Sequence, residues 1–201
     1  MTERSTRRAG ELFVHFIRGD FDKVALLITD KATEKDLGKM MSHCMDTIIP
    51  EARIRRTTGL IADLEDNEVF VFGSNLSGIH GKGAAKQALK WGARLGVGEG
   101  EVGRTYAVPT KAANVKKTLS VKLIEEHVKR FLDHASSNPD KTYLVTEIGC
   151  GLAGLKPDQV GPLFSRAVLL DNIHLPKRFW KAIEKSLEKK YSKIIEGVQC
   201  T

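Results

Sequence analysis

The sequence predicts an α/β fold in which helices cover both faces of a mixed sheet, giving three layers. Short apolar runs at residues 69–72, 105–108 and 143–148 are typical of buried strands. Between them, apolar residues repeat at helical spacing over 84–95 and again after Ser120. Because strands and helices alternate along the chain, the sequence indicates an α/β domain rather than separate helical and strand regions.

The N-terminal part lacks this alternation. Residues 1–65 are predicted to form a mostly helical extension, and residues 66–201 the main domain. Apolar residues at helical spacing predict helices in the extension, the last of which ends at Pro50. A stretch at residues 24–28 fits a helix or a strand equally well. The sequence does not indicate what the extension does.

Composition excludes several classes of protein. Of the 201 residues, 41% are hydrophobic and 28% charged, which is ordinary for a globular protein. No apolar run approaches the roughly 18 residues of a membrane span, so no membrane partner is expected. No apolar segment with a small-residue cleavage site follows the N-terminus, which favours a cytoplasmic location. Three scattered cysteines fit neither a disulfide framework nor a zinc cluster, and we predict neither a metal nor a cofactor.

The chain is basic, with a formal net charge of +7 and a pI near 9.3. Such a charge attracts polyanions, so nucleic acid is a possible partner. However, no basic motif with interleaved aromatic residues accompanies the charge, and nucleic-acid binding is therefore not favoured as the main function. The sequence does not indicate an oligomeric state.

The main domain contains several glycine-rich segments. The strand at residues 69–72 runs into a loop with four glycines before the helix at 84–95, an order that commonly holds a phosphate. A second glycine-rich segment, residues 96–103, is predicted as a loop leading to the next strand. Its G-x-G lies between a helix and a strand, the reverse of the Rossmann order, so that fold is rejected. An irregular helix at 158–167, a last strand at 172–175 and a C-terminal helix complete the prediction.

Distinctive residues follow three of the predicted strands. In an open α/β sheet, ligands bind outside the carboxyl ends of the strands, so these residues are expected to form one site. They are Gly73, Ser74 and Asn75; Pro109, Thr110 and Lys111; and Gly149, Cys150 and Gly151. Two glycine-rich turns that face each other suit a diphosphate better than a single phosphate.

Three motifs carry a resemblance to a known family. They read F-V-F-G-S-N at residues 70–75, H-G-K-G-A-A at 80–85 and I-G-C-G-L-A-G-L at 148–155. Over residues 69–168 the chain resembles the macrodomain family, which binds ADP-ribose and related nucleotides, and it is most similar to a group with G-S-N-x-x-G-x-H-G-x-G-A-A. The resemblance implies a macrodomain-like α/β/α domain in which residues 149–154 bind the diphosphate and Asn75 the ribose.

One departure bears on catalysis. The macrodomain branch that removes ADP-ribose has a catalytic acidic residue where this chain has Ala153. Hydrolysis of an ADP-ribosyl linkage is therefore left open. The catalytic candidates are Asn75, His80 and Glu147, with His80 or Glu147 assisting attack of water on the anomeric carbon. Each has a structural alternative: a turn cap for Asn75, a loop-stabilising hydrogen bond for His80 and a salt bridge for Glu147.

The sequence thus predicts a protein that binds ADP-ribose or a related nucleotide diphosphate. The alternatives are a non-catalytic module that sequesters or senses a nucleotide signal, and a basic nucleic-acid-associated protein. Cys150 could be a nucleophile but is favoured as a small residue that shapes its loop, and Lys82 could contact phosphate or be solvated. The predicted ligand-binding residues are Gly73, Ser74, Asn75, Gly81, Lys82, Gly83, Thr110, Lys111, Gly149, Cys150, Gly151, Leu152, Ala153 and Gly154.

Overall fold

The chain divides into two compact units. The computed structural model describes residues 42–57 and 59–199, together with residues 11, 14, 15, 17, 35, 38 and 39. One unit comprises Met1–Ile54 and Glu184–Thr201, and the other comprises Arg55–Ile183. The second unit contains the sheet and begins before residue 66, where the sequence places the start of the main domain. Among the described residues, no helix has both the length and the apolar composition that crossing a membrane requires.

In the first unit, all the described residues up to position 43 are helical. A π-helical turn, Cys44–Ile48, leads directly into helix α1, Ile49–Ala52. Pro50 was expected to end the preceding helix, but it lies in the first turn of α1, where its missing N–H has no intrahelical acceptor to lose. The stretch at 24–28 lies outside the described residues. Arg53 pairs with Glu184 at 3.2 Å within this unit.

The second unit is built on a mixed sheet, as the sequence predicts, and this sheet has six strands. Its strand order is β1-β6-β5-β2-β4-β3. All neighbouring strands are parallel except β3 and β4, which are antiparallel. The strands are β1 Arg56–Thr57, β2 Glu68–Asn75, β3 Gly100–Val102, β4 Thr105–Lys111, β5 Thr142–Val145 and β6 Ile173–Pro176.

The helices that follow these strands in the chain vary in length. Ser120 caps the long helix α3 by accepting a hydrogen bond from the amide of Leu123, as expected of a serine at this position. The helices are α2 Gly83–Ala88, which continues as a 3₁₀ turn over Leu89–Trp91; α3 Val121–Ser137; α4 Pro157–Val160, followed by a 3₁₀ helix over Gly161–Leu169; and α5 Lys177–Gln199.

Helices cover both faces of the sheet, which confirms the three layers. On one face, Phe70 of β2 packs against Trp91, with ring centroids 4.7 Å apart. On the other face, Tyr143 of β5 packs against Phe131 of α3 at 5.5 Å, and Phe131 also contacts Phe164. Because β2 is buried on both faces, its apolar residues form the continuous run seen in the sequence rather than an alternating pattern.

Three predicted boundaries were wrong. The helix expected over 84–95 ends as α2 and its 3₁₀ turn, because Gly92 adopts a left-handed conformation with φ of 99°. Strand β4 continues through Pro109 to Lys111, and its register with β2 shifts beside that proline, which has no N–H for the ladder. Strand β5 ends at Val145, so Glu147 lies beyond the strand.

The glycine-rich segment at 96–103 was also wrongly predicted, because it contains β3. An ionic network ties this segment to the rest of the domain. Glu99 accepts a hydrogen bond from Arg130 of α3 at 2.7 Å, and Glu101 accepts from His134 of α3 at 2.7 Å and from Lys141 at 2.6 Å. Burial opposes ionisation of both carboxylates, but these bonds outweigh it and hold the pKa of each glutamate below its ordinary value.

The loop after β2 lies backbone to backbone against the segment before β3. Gly78 has φ of 63° and accepts a hydrogen bond from the amide of Gly96 at 3.0 Å. A β-carbon at position 78 would lie 2.3 Å from the backbone nitrogen of Val97. Only glycine combines that positive φ with so close an approach.

We therefore predict that Gly78→Ala lowers the free energy of unfolding by at least about 2 kcal/mol, because both the strained φ and the backbone contact oppose a methyl group. Urea unfolding measures the effect. Gly81→Ala is the matched control in the same loop, because a β-carbon there meets nothing within 4 Å, and its stability should change by less than about 0.5 kcal/mol. Equal stabilities for the two variants would contradict the prediction.

Candidate functional site

A cavity of about 690 Å³ opens at the carboxyl ends of β2, β4 and β5. The chain leaving β2 next enters the sheet on one side, at β3 and then β4, whereas the chain leaving β5 enters it at β6 on the other side. The loops after β2 and β5 therefore diverge. Such a point is where open α/β sheets bind their ligands.

The structure brings most of the predicted site residues together around this cavity. Those that line it are Gly73, Ser74, Asn75, Gly81, Lys82, Gly83, Thr110, Lys111, Glu147, Gly149, Cys150, Gly151, Leu152 and Ala153. His80 and Gly154 are not among the lining residues. Six further residues that were not predicted from the sequence also line the cavity: Ile79, Ala84, Ala85, Val115, Thr146 and Ile148. All but Val115 lie within or close to the three motifs, so their positions in the sequence could have predicted them as lining residues.

The loop at residues 149–154, here called the 149–154 loop, presents unpaired amides. It closes through a hydrogen bond from the Gly154 amide to the Gly151 carbonyl at 2.9 Å. The N–H groups of Gly151, Leu152 and Ala153 donate to no acceptor in the part of the chain that the structure describes. Three successive backbone donors on a cavity wall form a site that suits an anion.

Two side chains hold this loop through its carbonyl oxygens. The Lys111 ammonium donates to the Leu152 carbonyl at 3.3 Å, and the Thr118 hydroxyl donates to the Ala153 carbonyl at 2.9 Å. Both bonds use carbonyl oxygens, so they fix the loop conformation without using its free amides.

The Asn75 side chain is engaged at both ends. Its Nδ2 donates to the Ile79 carbonyl at 2.8 Å, and its Oδ1 accepts from the Ile79 amide at 3.1 Å. These bonds close the 76–79 loop, and the residue is only 6% exposed. Asn75 thus has the structural role that the sequence left open beside ribose binding, and the ribose contact stays a prediction.

The hydroxyls of Ser74 and Thr110 are also used within the protein. Ser74 donates to the Gly98 carbonyl, and Thr110 donates to the Ser74 carbonyl at 3.2 Å. Both residues are buried. These bonds join the end of β2 to its neighbours and fix the position of the cavity wall.

His80 lies under the loop rather than in the cavity. Its ring contacts the edge of Phe72 with centroids 5.2 Å apart, and the residue is 2% exposed. Nε2 lies 3.2 Å from the Val97 carbonyl, which can only accept, so Nε2 is the donor of this hydrogen bond. Nδ1 has no hydrogen-bond partner among the residues that the structure describes. These contacts fit the loop-stabilising alternative and give His80 no access to a ligand in the cavity.

The charged residues lining the cavity are mostly cationic. Lys82 and Lys111 line it together with one carboxylate, Glu147, which is paired with Arg178 at 2.8 Å. The Lys82 ammonium forms no ion pair with any described carboxylate. The balance favours an anionic ligand. Within the described part of the chain, no three His, Cys, Asp or Glu side chains are grouped to hold a metal ion.

Cys150 is not poised as a nucleophile. Burial, reinforced by the charge of Glu147, raises the pKa of its thiol to about 11. At neutral pH roughly one such thiol in ten thousand is ionised, and the thiolate is the reactive form. The structure therefore supports the role of a small residue that shapes the loop.

Comparison with models of protein families, with curated proteins and with solved structures finds no match for this chain. The sequence motifs and the geometry of the cavity are therefore the features that indicate a function. A shared fold would not by itself have assigned a function.

We predict that alkylation of Cys150 by iodoacetamide keeps accelerating about tenfold per pH unit beyond pH 9, because the pKa of its thiol is about 11. Mass spectrometry of the peptide that carries Cys150 measures the rate. A cysteine-containing peptide of ordinary pKa serves as the control and should level off near pH 9. A plateau for Cys150 below pH 9 would contradict the assignment.

Proposed function

We propose that this chain binds ADP-ribose or a related nucleotide diphosphate in the cavity at the carboxyl ends of β2 and β5. The observation that carries the proposal is the row of unpaired amides at Gly151, Leu152 and Ala153 on the cavity wall. A volume of about 690 Å³ falls within the range of small-molecule sites, about 300–1,000 Å³.

The electrostatics support a phosphate-bearing ligand. Backbone N–H groups bind phosphate oxygens through charge-assisted hydrogen bonds, which are stronger than bonds between neutral groups. Lys82 and Lys111 add two cations to the same cavity, and Arg178 balances the charge of Glu147. A diphosphate, with its several anionic oxygens, uses such a wall more fully than a carboxylate does.

The sequence motifs narrow the ligand further. The wall with the free amides carries I-G-C-G-L-A-G-L, and the opposite motif, G-S-N-x-x-G-x-H-G-x-G-A-A, supplies the loop after β2. Both motifs resemble those of the macrodomain family, in which the loop that corresponds to I-G-C-G-L-A-G-L binds a diphosphate. ADP-ribose combines a diphosphate with two riboses and a base, and we propose it as the first ligand to test.

Binding is better supported than hydrolysis. Ala153 replaces the acidic residue of the deglycosylating macrodomains, and the polar side chains of Ser74, Asn75 and Thr110 are committed to internal hydrogen bonds. Glu147 is the one carboxylate among the lining residues and therefore the best candidate for a general base toward water. Hydrolysis of an ADP-ribosyl linkage is the second candidate function for that reason.

We predict that Gly151→Glu weakens ADP-ribose binding at least about 100-fold, since it sets a carboxylate against the diphosphate. Isothermal titration calorimetry measures the affinity. The fold should persist, because a β-carbon at Gly151 meets nothing within 4 Å. Gly151→Ala, the steric control, should bind within about threefold of the natural chain.

No binding by the natural chain at millimolar ADP-ribose would reject the proposal. Unchanged affinity in a folded Gly151→Glu variant would remove the 149–154 loop from the site. Tight binding of polynucleotide with a steep salt dependence, in the absence of ADP-ribose binding, would instead favour the nucleic-acid alternative.

Turnover is tested separately with ADP-ribosylated protein and ADP-ribosylated nucleic acid as substrates. We predict that Glu147→Gln lowers any release of ADP-ribose by about 100-fold or more, the usual effect of losing a general base, while affinity changes less than about threefold. Chromatography of the released product gives the rate, and calorimetry gives the affinity. Release at an equal rate by the variant would exclude Glu147 as the base.

A further inference from the structure

We infer that Val115 is a specificity-determining residue of the cavity, which contacts the ring-bearing, non-phosphate part of the bound nucleotide. This inference rests on the proposed function. It starts from a segment that no sequence motif singled out, residues 110–119, here called the 110–119 hairpin.

The 110–119 hairpin folds back on itself after β4. The Leu119 amide donates to the Thr110 carbonyl at 2.9 Å, and the Ala112 amide donates to the Lys117 carbonyl at 2.8 Å. Lys111 and Thr118 form an antiparallel bridge between its arms. Val115 therefore lies in the tip of a short hairpin whose arms are joined by backbone hydrogen bonds.

Val115 holds a strained conformation. It has φ of 52° and is the only non-glycine residue with positive φ in the part of the chain that the structure describes. A β-branched residue rarely adopts this conformation, and strain of this kind persists where surrounding contacts enforce it. Here Asn114 enforces it, because its Oδ1 accepts from the amides of Lys116 and Lys117 at 3.1 and 3.3 Å.

The hairpin is tied to both walls of the cavity. Ser77 of the 76–79 loop donates to the Ala113 carbonyl at 2.8 Å, and Thr118 donates to the Ala153 carbonyl of the 149–154 loop at 2.9 Å. Val115, between these two attachment points, lines the cavity itself. Its position is thus set by the same loops that form the proposed site.

The chemistry of Val115 defines what it can contact. Its backbone N–H donates to the Ala112 carbonyl at 2.9 Å and is not available to a phosphate, so its apolar side chain is the group that can distinguish one ligand from another. Ile79 and Leu152 also line the cavity and are 51% and 69% exposed, although apolar side chains of this size favour burial. These three side chains offer an apolar surface that suits a flat ring such as a nucleotide base, whereas the amides of the 149–154 loop suit phosphate.

The test compares the natural chain with Val115→Gly, using ADP-ribose and inorganic diphosphate as separate ligands in calorimetry. Glycine adopts positive φ freely, so we expect the Tm to stay unchanged or to rise by about 2–4 °C. We expect ADP-ribose affinity to fall about tenfold or more, as loss of a buried apolar side chain implies, and diphosphate affinity to stay within about twofold. Val115→Asn should show the same selectivity, because asparagine also tolerates this conformation.

Leu123→Ala is the control for removing an exposed apolar side chain elsewhere, since Leu123 lies on α3 and does not line the cavity. It should leave both affinities unchanged. Unchanged ADP-ribose affinity in both Val115 variants would overturn the inference and leave the proposed function standing. An equal loss of affinity for both ligands, or a lower Tm for Val115→Gly, would also overturn the inference, because it would show that Val115 only packs within the cavity wall. Failure of the natural chain to bind either ligand would overturn the proposed function and this inference together.

Discussion

The close approach of two backbone segments is the constraint on which the cavity depends. Residues 74–80 leave β2 and lie against residues 96–98, where the carbonyl of Val97 meets His80 and the carbonyl of Gly98 meets Ser74. Side chains at Gly78 or Gly98 would collide with backbone atoms of the other segment. Once this contact exists, the loop after β2 has one position, and the first wall of the cavity is fixed before any ligand arrives.

The ionic network on α3 extends this constraint. Segment 96–98 is followed directly by Glu99 and Glu101, whose carboxylates accept hydrogen bonds from Arg130 and His134 of α3. A half-buried carboxylate needs such partners to offset the loss of hydration. The network thereby anchors a glycine-rich segment with little apolar surface of its own. Arg130 and Lys141 are thus paired with carboxylates of this segment, whereas Lys82 forms no ion pair among the described residues.

The sequence predicted those features whose causes are local. The buried run of β2, the serine cap of α3 and the glycine pattern of the 149–154 loop each depend on neighbouring residues, and the structure has all three. It could not predict β3, because Gly100–Val102 pairs with β4 without an apolar pattern and depends on the distant partners of Glu101. It also could not predict the strain at Val115 or the burial of His80, which arise from contacts between segments far apart in the chain.

Most polar side chains around the cavity form hydrogen bonds within the protein, whereas backbone amides of the 149–154 loop are free. This difference favours the proposal of binding over that of catalysis. Asn75, Ser74 and Thr110 fix loops, and Lys111 and Thr118 hold the carbonyls of the 149–154 loop. These bonds orient the peptide groups, so the free amides need no reorganisation when an anion arrives, and less binding energy is lost to ordering. A hydrolase needs a side chain free to move a proton. Glu147, the one carboxylate that lines this cavity, is the candidate for that role, and it also pairs with Arg178 at 2.8 Å.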